Sequence, residues 1–180
     1  MKGRKDIRKI IGYTQQDQRD SPDLWYKNSL SFNEASSVLY ENHESISSGF
    51  RIFVFNAALS IELILKAILA AKGEAIPQIH TLRELCAKAE VDLDEDQKCT
   101  LDLLTESILW AGRYPSPKSE GQWDNFHDNI FEKHIVRQQS GNTHSTLANP
   151  KRFPSLENYT KIWRMCLVTY ANIVRGTEHD

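Results

Sequence analysis

A chain of 180 residues, 40% hydrophobic and 26% charged, is long enough for one domain with its own apolar core and excludes wholesale disorder. Its 22 Lys and Arg against 24 Asp and Glu leave a net charge of -2, which excludes a general polyanion binder. Any nucleic-acid contact has to come from a local patch.

Residues 1–20 are polar and charged and are expected to form a loosely attached arm, in which Lys2, Arg4, Lys5, Arg8 and Lys9 can meet phosphates. This basic stretch is not followed by the apolar run of a secretory signal. Structure is expected to begin at Ser21-Pro22, a serine cap before a proline at the first helical position. From there to Asn42, Trp25, Phe32, Ala35 and Leu39 fall on one helical face.

Gly49 to Gly73 is the most apolar part of the chain. Its hydrophobic residues run from Phe53 to Leu69 almost all the way round a helix, the pattern of a central helix in a bundle. Such a helix is about 36 Å long, and Gly73 supplies its left-handed C-terminal stop. Glu62 and Lys66 within it argue against a membrane span. They stand at i and i+4, in the favourable order for an ion pair. They form either a structural salt bridge or a polar stripe lining a cleft or a dimer seam.

Pro77 to His80 turns the chain, with His80 expected to fix the turn as a neutral hydrogen-bonding residue. Thr81 and Glu84 have the spacing of a capping box for a short helix to about Ala89, with Leu82, Leu85 and Cys86 inward. Asp94 and Gln97 are a second such pair. They open a helix carrying Leu101, Leu104, Ile108 and Ala111 and ended by Gly112. Residues 113–154, rich in Pro, Gly, Ser and Asn, read as a long insertion. Trp123, Phe126, Ile130 and His134 can support one short amphipathic helix inside it. Leu156, Tyr159, Trp163, Cys166, Tyr170 and Ile173 alternate steps of three and four, which predicts a packed helix from Ser155 to Val174. No segment demands a strand.

The expected fold is therefore all-α: an up-and-down bundle of four long helices plus a short one, over residues 21–175. A long insertion precedes the last helix and residues 176–180 form a tail. Cys86, Cys99 and Cys166 lack metal spacing and imply no disulfide framework, so they are expected as small core residues in a reducing cytoplasm. Asp124, His127 and His134 can share a helix face, but no fixed fourth ligand accompanies them, so no metal is expected. Trp110 and Tyr114 are able to stack on a base.

Three blocks in the middle of the chain resemble the HEPN family, the helical domains named for higher eukaryotes and prokaryotes nucleotide-binding. They are SIELILKAILAAKG (Ser60 to Gly73), IHTLREL (Ile79 to Leu85) and AGRYP (Ala111 to Pro115), in matching order and spacing. The resemblance implies a helical homodimer beside nucleotides or RNA, with a nucleotidyltransferase or antitoxin as partner, in a toxin–antitoxin or defence setting. It implies no cofactor and no membrane. Arg113, Tyr114, Glu62, Lys66 and His80 would face the ligand. Many members are metal-independent endoribonucleases with an arginine and a histidine near the start of a late helix. Here the one pair with that spacing is Arg137 and His144, in RQQSGNTH. Histidine would move the 2′-OH or leaving-group proton and arginine would stabilise the phosphorane charge. The interior Ser140-Gly141-Asn142 is turn chemistry rather than a helix start, so a binding domain is expected first and the nuclease second.

Overall fold

Ser21 opens the first long helix, its hydroxyl accepting from the Leu24 amide at 3.4 Å with Pro22 at the first helical position. In the computed structural model, which describes residues 3–140 and 143–177, the order is α1 (Arg4–Ile10), α2 (Gln15–Asp20), α3 (Pro22–Glu41), α4 (Gly49–Ala71), α5 (Leu82–Ala89) and α6 (Glu95–Glu106). A π-helical segment, Ser107–Ala111, continues α6. Then come α7 (Glu120–Asn129), a second π segment (Ile130–His134), strands β1 (Ile135–Ser140) and β2 (Thr143–Ala148), and α8 (Leu156–Thr177).

The fold is all-α apart from that one hairpin, and α4 is its centre. Phe53, Ala57, Ala58, Ile61, Ile64, Leu65 and Ile68 are wholly buried, packed among α3, α5, α6 and α8. By length and composition α4 also meets the requirement for crossing a membrane, but most of it is enclosed by the bundle. It stops where expected. Gly73 takes φ +70°, Glu74 N–H donates to the Leu69 carbonyl at 3.0 Å and Gly73 N–H to that of Ala70, a Schellman closure. The seam of α8 is buried at Tyr159, Trp163, Cys166 and Tyr170, and Ile162 joins it. All three cysteines are free and buried, and burial pushes the Cys86 and Cys166 thiols up.

The buried line of α3 is displaced from its predicted apolar stripe. Ser29 and Ser36 are fully buried, while Trp25, Phe32, Ala35 and Leu39 flank them half-buried. Small side chains let α3 approach α4 closely, and their hydroxyls are satisfied inside: Ser29 donates to the Ser60 carbonyl at 2.8 Å and Ser36 to that of Phe32 at 2.7 Å. The Tyr159 hydroxyl bonds Asn33 at 2.7 Å and Ser60 at 3.1 Å, and Trp163 donates to Ser29 at 3.2 Å. This network ties α3, α4 and α8 in one arrangement, and burial pushes the Tyr159 phenol up to about 12.

Three expectations are corrected. The arm is helical, and α2 is fastened to the body by Arg19 donating to the Ile76 carbonyl at 2.8 Å and by the Trp25 indole donating to the Arg19 carbonyl at 2.7 Å. The Thr81–Glu84 capping box does not form; the Leu82 amide is satisfied instead by the Thr105 hydroxyl of α6 at 3.0 Å, a tertiary partner invisible to local spacing. The Asp94–Gln97 box forms in both directions. Third, the insertion holds an antiparallel hairpin. Its six-residue strands are mostly polar and Val136 opposite Leu147 stays exposed; among the described side chains no buried face imposes the alternation that announces a strand.

Candidate functional site

Glu62 and Lys66 project from one stripe of α4 where the greasy helix meets the 74–81 connection. The Lys66 ammonium donates to Glu62 Oε1 at 2.6 Å, and both residues are almost wholly buried, at 6% and 5% exposed. His80 Nδ1 lies 3.0 Å from each Glu62 oxygen. A carboxylate only accepts, so Nδ1 carries the proton. The His80 side chain is 54% exposed, which leaves Nε2 as the polar edge available to a ligand. One buried carboxylate thus holds an ammonium and an imidazole together, and neutralises a charge the apolar helix cannot carry alone. Of the two alternatives for this pair, the salt bridge is formed; Lys66 alone of the two also lines a cleft. Lys66 lies 5.8 Å from the centre of the Trp25 ring and lines a cleft of about 550 Å³ with Arg19, Trp25, Asn28, Gln15, Gln18 and Gln78.

Arg113 and Tyr114 form a separate cluster. Arg113 caps the π segment, donating to the Ile108 carbonyl at 2.7 Å and the Leu109 carbonyl at 3.4 Å, and its guanidinium lies 5.3 Å from the exposed Tyr114 ring. Gly112 makes this end possible: a Cβ there would stand 2.6 Å from Phe55 Cδ2 and 2.7 Å from the Ser107 carbonyl oxygen. Phe55 is seven residues before Glu62 on α4, about 10 Å along the axis and on the same face. α4 thus meets Gly112 at Phe55 about two turns before it carries Glu62, and no contact joins the two clusters among the described residues.

A larger cleft of about 810 Å³ opens between α6 and the insertion, and sequence reasoning missed it. Trp110 and Lys118 are part of its wall, and α7 with its π extension contributes Gln122, Asn125, Phe126, Asn129, Lys133 and His134. The recurrence of these positions every three or four residues was the available signal. Trp110 packs edge-on against Phe126 at 5.0 Å, and its indole donates to Glu106 at 2.7 Å. Arg83 is spent on a bidentate pair with Asp102, at 2.9 and 2.8 Å, and on Glu95 at 3.0 Å, which pushes its pKa up. Gln78 lines the smaller cleft and Thr81 the larger, so His80 lies between them in the chain.

His134 is 3% exposed and its Nδ1 has no hydrogen-bond partner. Burial lowers its pKa from 6.5, against the attraction of Asp102. The folded ring resists a proton that the unfolded chain accepts, so stability is expected to fall as pH drops below about 6.5. Thermal unfolding across pH 5 to 7.5 tests this: the acid-side slope should flatten in His134→Leu. Asp124, His127 and His134 do not gather: His127 packs on Trp123 at 4.4 Å, and no group of three or more His, Cys, Asp or Glu able to hold a metal occurs among the described residues.

Arg137 and His144 sit on opposite strands of the hairpin, not at a helix start. Arg137 pairs with Thr146 and His144 with Gln139, two steps apart on the ladder. The Arg137 guanidinium lies 5.4 Å from the Phe131 ring, and Arg137 lines neither cleft. The turn expected at Gly141 and Asn142 lies outside the described residues, as does the His144 side chain.

No curated protein and no solved structure matches the chain. The HEPN domain model matches residues 23–135, from the first turn of α3 to the start of the hairpin. That stretch covers more than half the sequence and contains Glu62 and Lys66 on α4, His80 in the connection before α5, and Arg113 and Tyr114 just after the π segment. The chain belongs to the HEPN family, and with it to a group of helical domains associated with nucleotides and RNA.

Proposed function

We propose that this chain is a binding and dimerisation domain of a toxin–antitoxin or defence system, holding a nucleotide or single-stranded RNA on the face that carries His80. The observation behind this reading is the buried Glu62–Lys66 pair with the exposed His80 bonded to it, with one cleft lined by residues just before His80 and another by residues just after it. Lys66 and Arg19 on one side and Lys118 and Lys133 on the other offer cations to phosphates, while Trp25 and Trp110 offer rings to bases. Exposed Met165 and Val168, one turn apart on α8, offer a second copy an apolar seat. A nucleotidyltransferase or antitoxin is the kind of partner such a domain would serve.

Light scattering on a sizing column should give a dimer, and nucleotide or RNA titrations should quench tryptophan fluorescence. Lys66→Met should weaken the binding by about tenfold or more, the loss of a charged hydrogen bond. A strict monomer that binds neither ligand ends this reading.

A second reading, a metal-independent endoribonuclease, is favoured by the proximity of Arg137 and His144 on the ladder. It requires cutting of single-stranded RNA in EDTA that His144→Ala abolishes. Equal cutting by wild type and variant excludes that pair.

A further inference from the structure

Helix α1 takes no part in the site described above. It is capped by its own groups: Asp6 accepts from the Gly3 amide at 3.1 Å at one end. At the other, Gly12 takes φ +63° while Tyr13 N–H donates to the Arg8 carbonyl at 2.8 Å and Gly12 N–H to that of Lys9 at 3.4 Å. None of its residues is buried. Gly12 then separates it from α2, which is the helix that Arg19 fastens to the body.

The two faces of α1 differ. Ile7, Ile10 and Ile11 stand at i, i+3 and i+4 and are 49%, 63% and 66% exposed, with Tyr13 also exposed just beyond. Lys5 with Lys9 form a row on the opposite side, and Arg4 with Arg8 form a row along the edge between it and the isoleucines. None of these four makes an ion pair among the described residues. The charge is local, because the chain as a whole is negative.

Three kinds of occupant can be distinguished by what they would use. A polyanion such as RNA takes the cations and leaves the isoleucines in water. A protein groove takes the isoleucines and has no general need for four unpaired cations. The surface of an anionic bilayer takes both at once, with headgroups around the Arg and Lys and acyl chains around the Ile. We propose that α1 is a membrane-surface anchor that lies in the headgroup region of a bilayer containing anionic lipid and tethers the HEPN bundle there. This needs no spanning helix.

Co-sedimentation of the full chain with vesicles tests it, using phosphatidylcholine alone and phosphatidylcholine mixed with phosphatidylglycerol. The wild type should sediment with the mixed vesicles, not with the neutral ones, and high salt should release it. Two variants separate the faces: Ile7→Gln, Ile10→Gln and Ile11→Gln combined, and Arg4→Gln, Lys5→Gln, Arg8→Gln and Lys9→Gln combined. Glutamine keeps helix propensity, and α1 buries nothing, so both should melt with the wild type. Each should lose about tenfold or more in partition. No sedimentation of the wild type overturns the proposal, as does an isoleucine variant that sediments like the wild type. Binding of single-stranded RNA that the cation variant loses, without any vesicle binding, assigns the helix to a polyanion instead. Because the body sites are untouched, these outcomes are independent of ligand binding near His80.

Discussion

Glu62→Ala is expected to cost about 3–5 kcal/mol of folding free energy, the range for breaking a buried ion pair from one side. The residue removed is the sole carboxylate bonded to the Lys66 ammonium among the described residues, and Lys66 is 6% exposed. The alanine variant would leave that ammonium in an apolar wall with only the Trp25 face 5.8 Å away, and a cation–π contact recovers a small part of the loss. His80 would lose its Nδ1 acceptor at the same time, but that side chain is half exposed and water replaces the bond. The dominant cost is therefore the orphaned lysine. Denaturant unfolding of Glu62→Ala, Lys66→Met and the double variant Glu62→Leu/Lys66→Met checks the assignment. The double variant should recover most of the stability, since apolar residues of similar volume replace a desolvated pair at little cost. It should also separate the two roles of the cluster: a folded double variant that no longer binds nucleotide or RNA places the pair, or the His80 it orients, at the ligand, whereas unimpaired binding makes the pair purely architectural.

The parts of this fold legible in the sequence are those governed by local periodicity and caps. The central helix, the α8 seam, the Ser21-Pro22 entry, the Gly73 stop and the Asp94–Gln97 box all depend on residues within a few positions of one another. What escaped depends on partners far along the chain. The α3 face is centred on Ser29 and Ser36, and a serine reads as polar until Ser60 is known to accept its proton. Thr81 had the spacing of a cap, but Thr105 of α6 supplies the bond. The hairpin buries none of its residues whose side chains are described, and its sequence carries no alternation to detect. The site divides the same way. Glu62 and Lys66 were legible as an i, i+4 pair. His80 joins them only because the 74–81 connection folds back along α4, and the larger cleft exists only because the insertion returns to α6. The π segment at Ser107–Ala111 ends at Gly112, whose missing Cβ leaves room for Phe55, a neighbour far back in the chain.

That clearance gives the second large effect. Gly112→Ala is expected to destabilise the fold by about 1–3 kcal/mol through overpacking. The φ of Gly112 is -77°, so left-handed strain plays no part and the cost is purely steric. The new methyl would meet two different obstacles. One is the Phe55 side chain, with Cδ2 at 2.6 Å and Cβ at 2.9 Å; the other is the Ser107 carbonyl oxygen at 2.7 Å. The ring can rotate away, but the Phe55 Cβ is fixed to α4 and the Ser107 carbonyl can move only if the π segment rewinds. Phe55→Ala should accordingly rescue Gly112→Ala only in part, and a double-mutant cycle on unfolding free energies should show a coupling that falls short of the full loss. Complete rescue would mean the π geometry yields freely. Arg113 reports on the same movement: its guanidinium caps the Ile108 carbonyl, so a displaced segment end frees the charge and shifts Tyr114 with it. If Arg113 and Tyr114 contribute to the ligand face, Gly112→Ala weakens nucleotide or RNA binding at temperatures where the protein is still fully folded, and the loss tracks the backbone displacement that Phe55→Ala cannot repair.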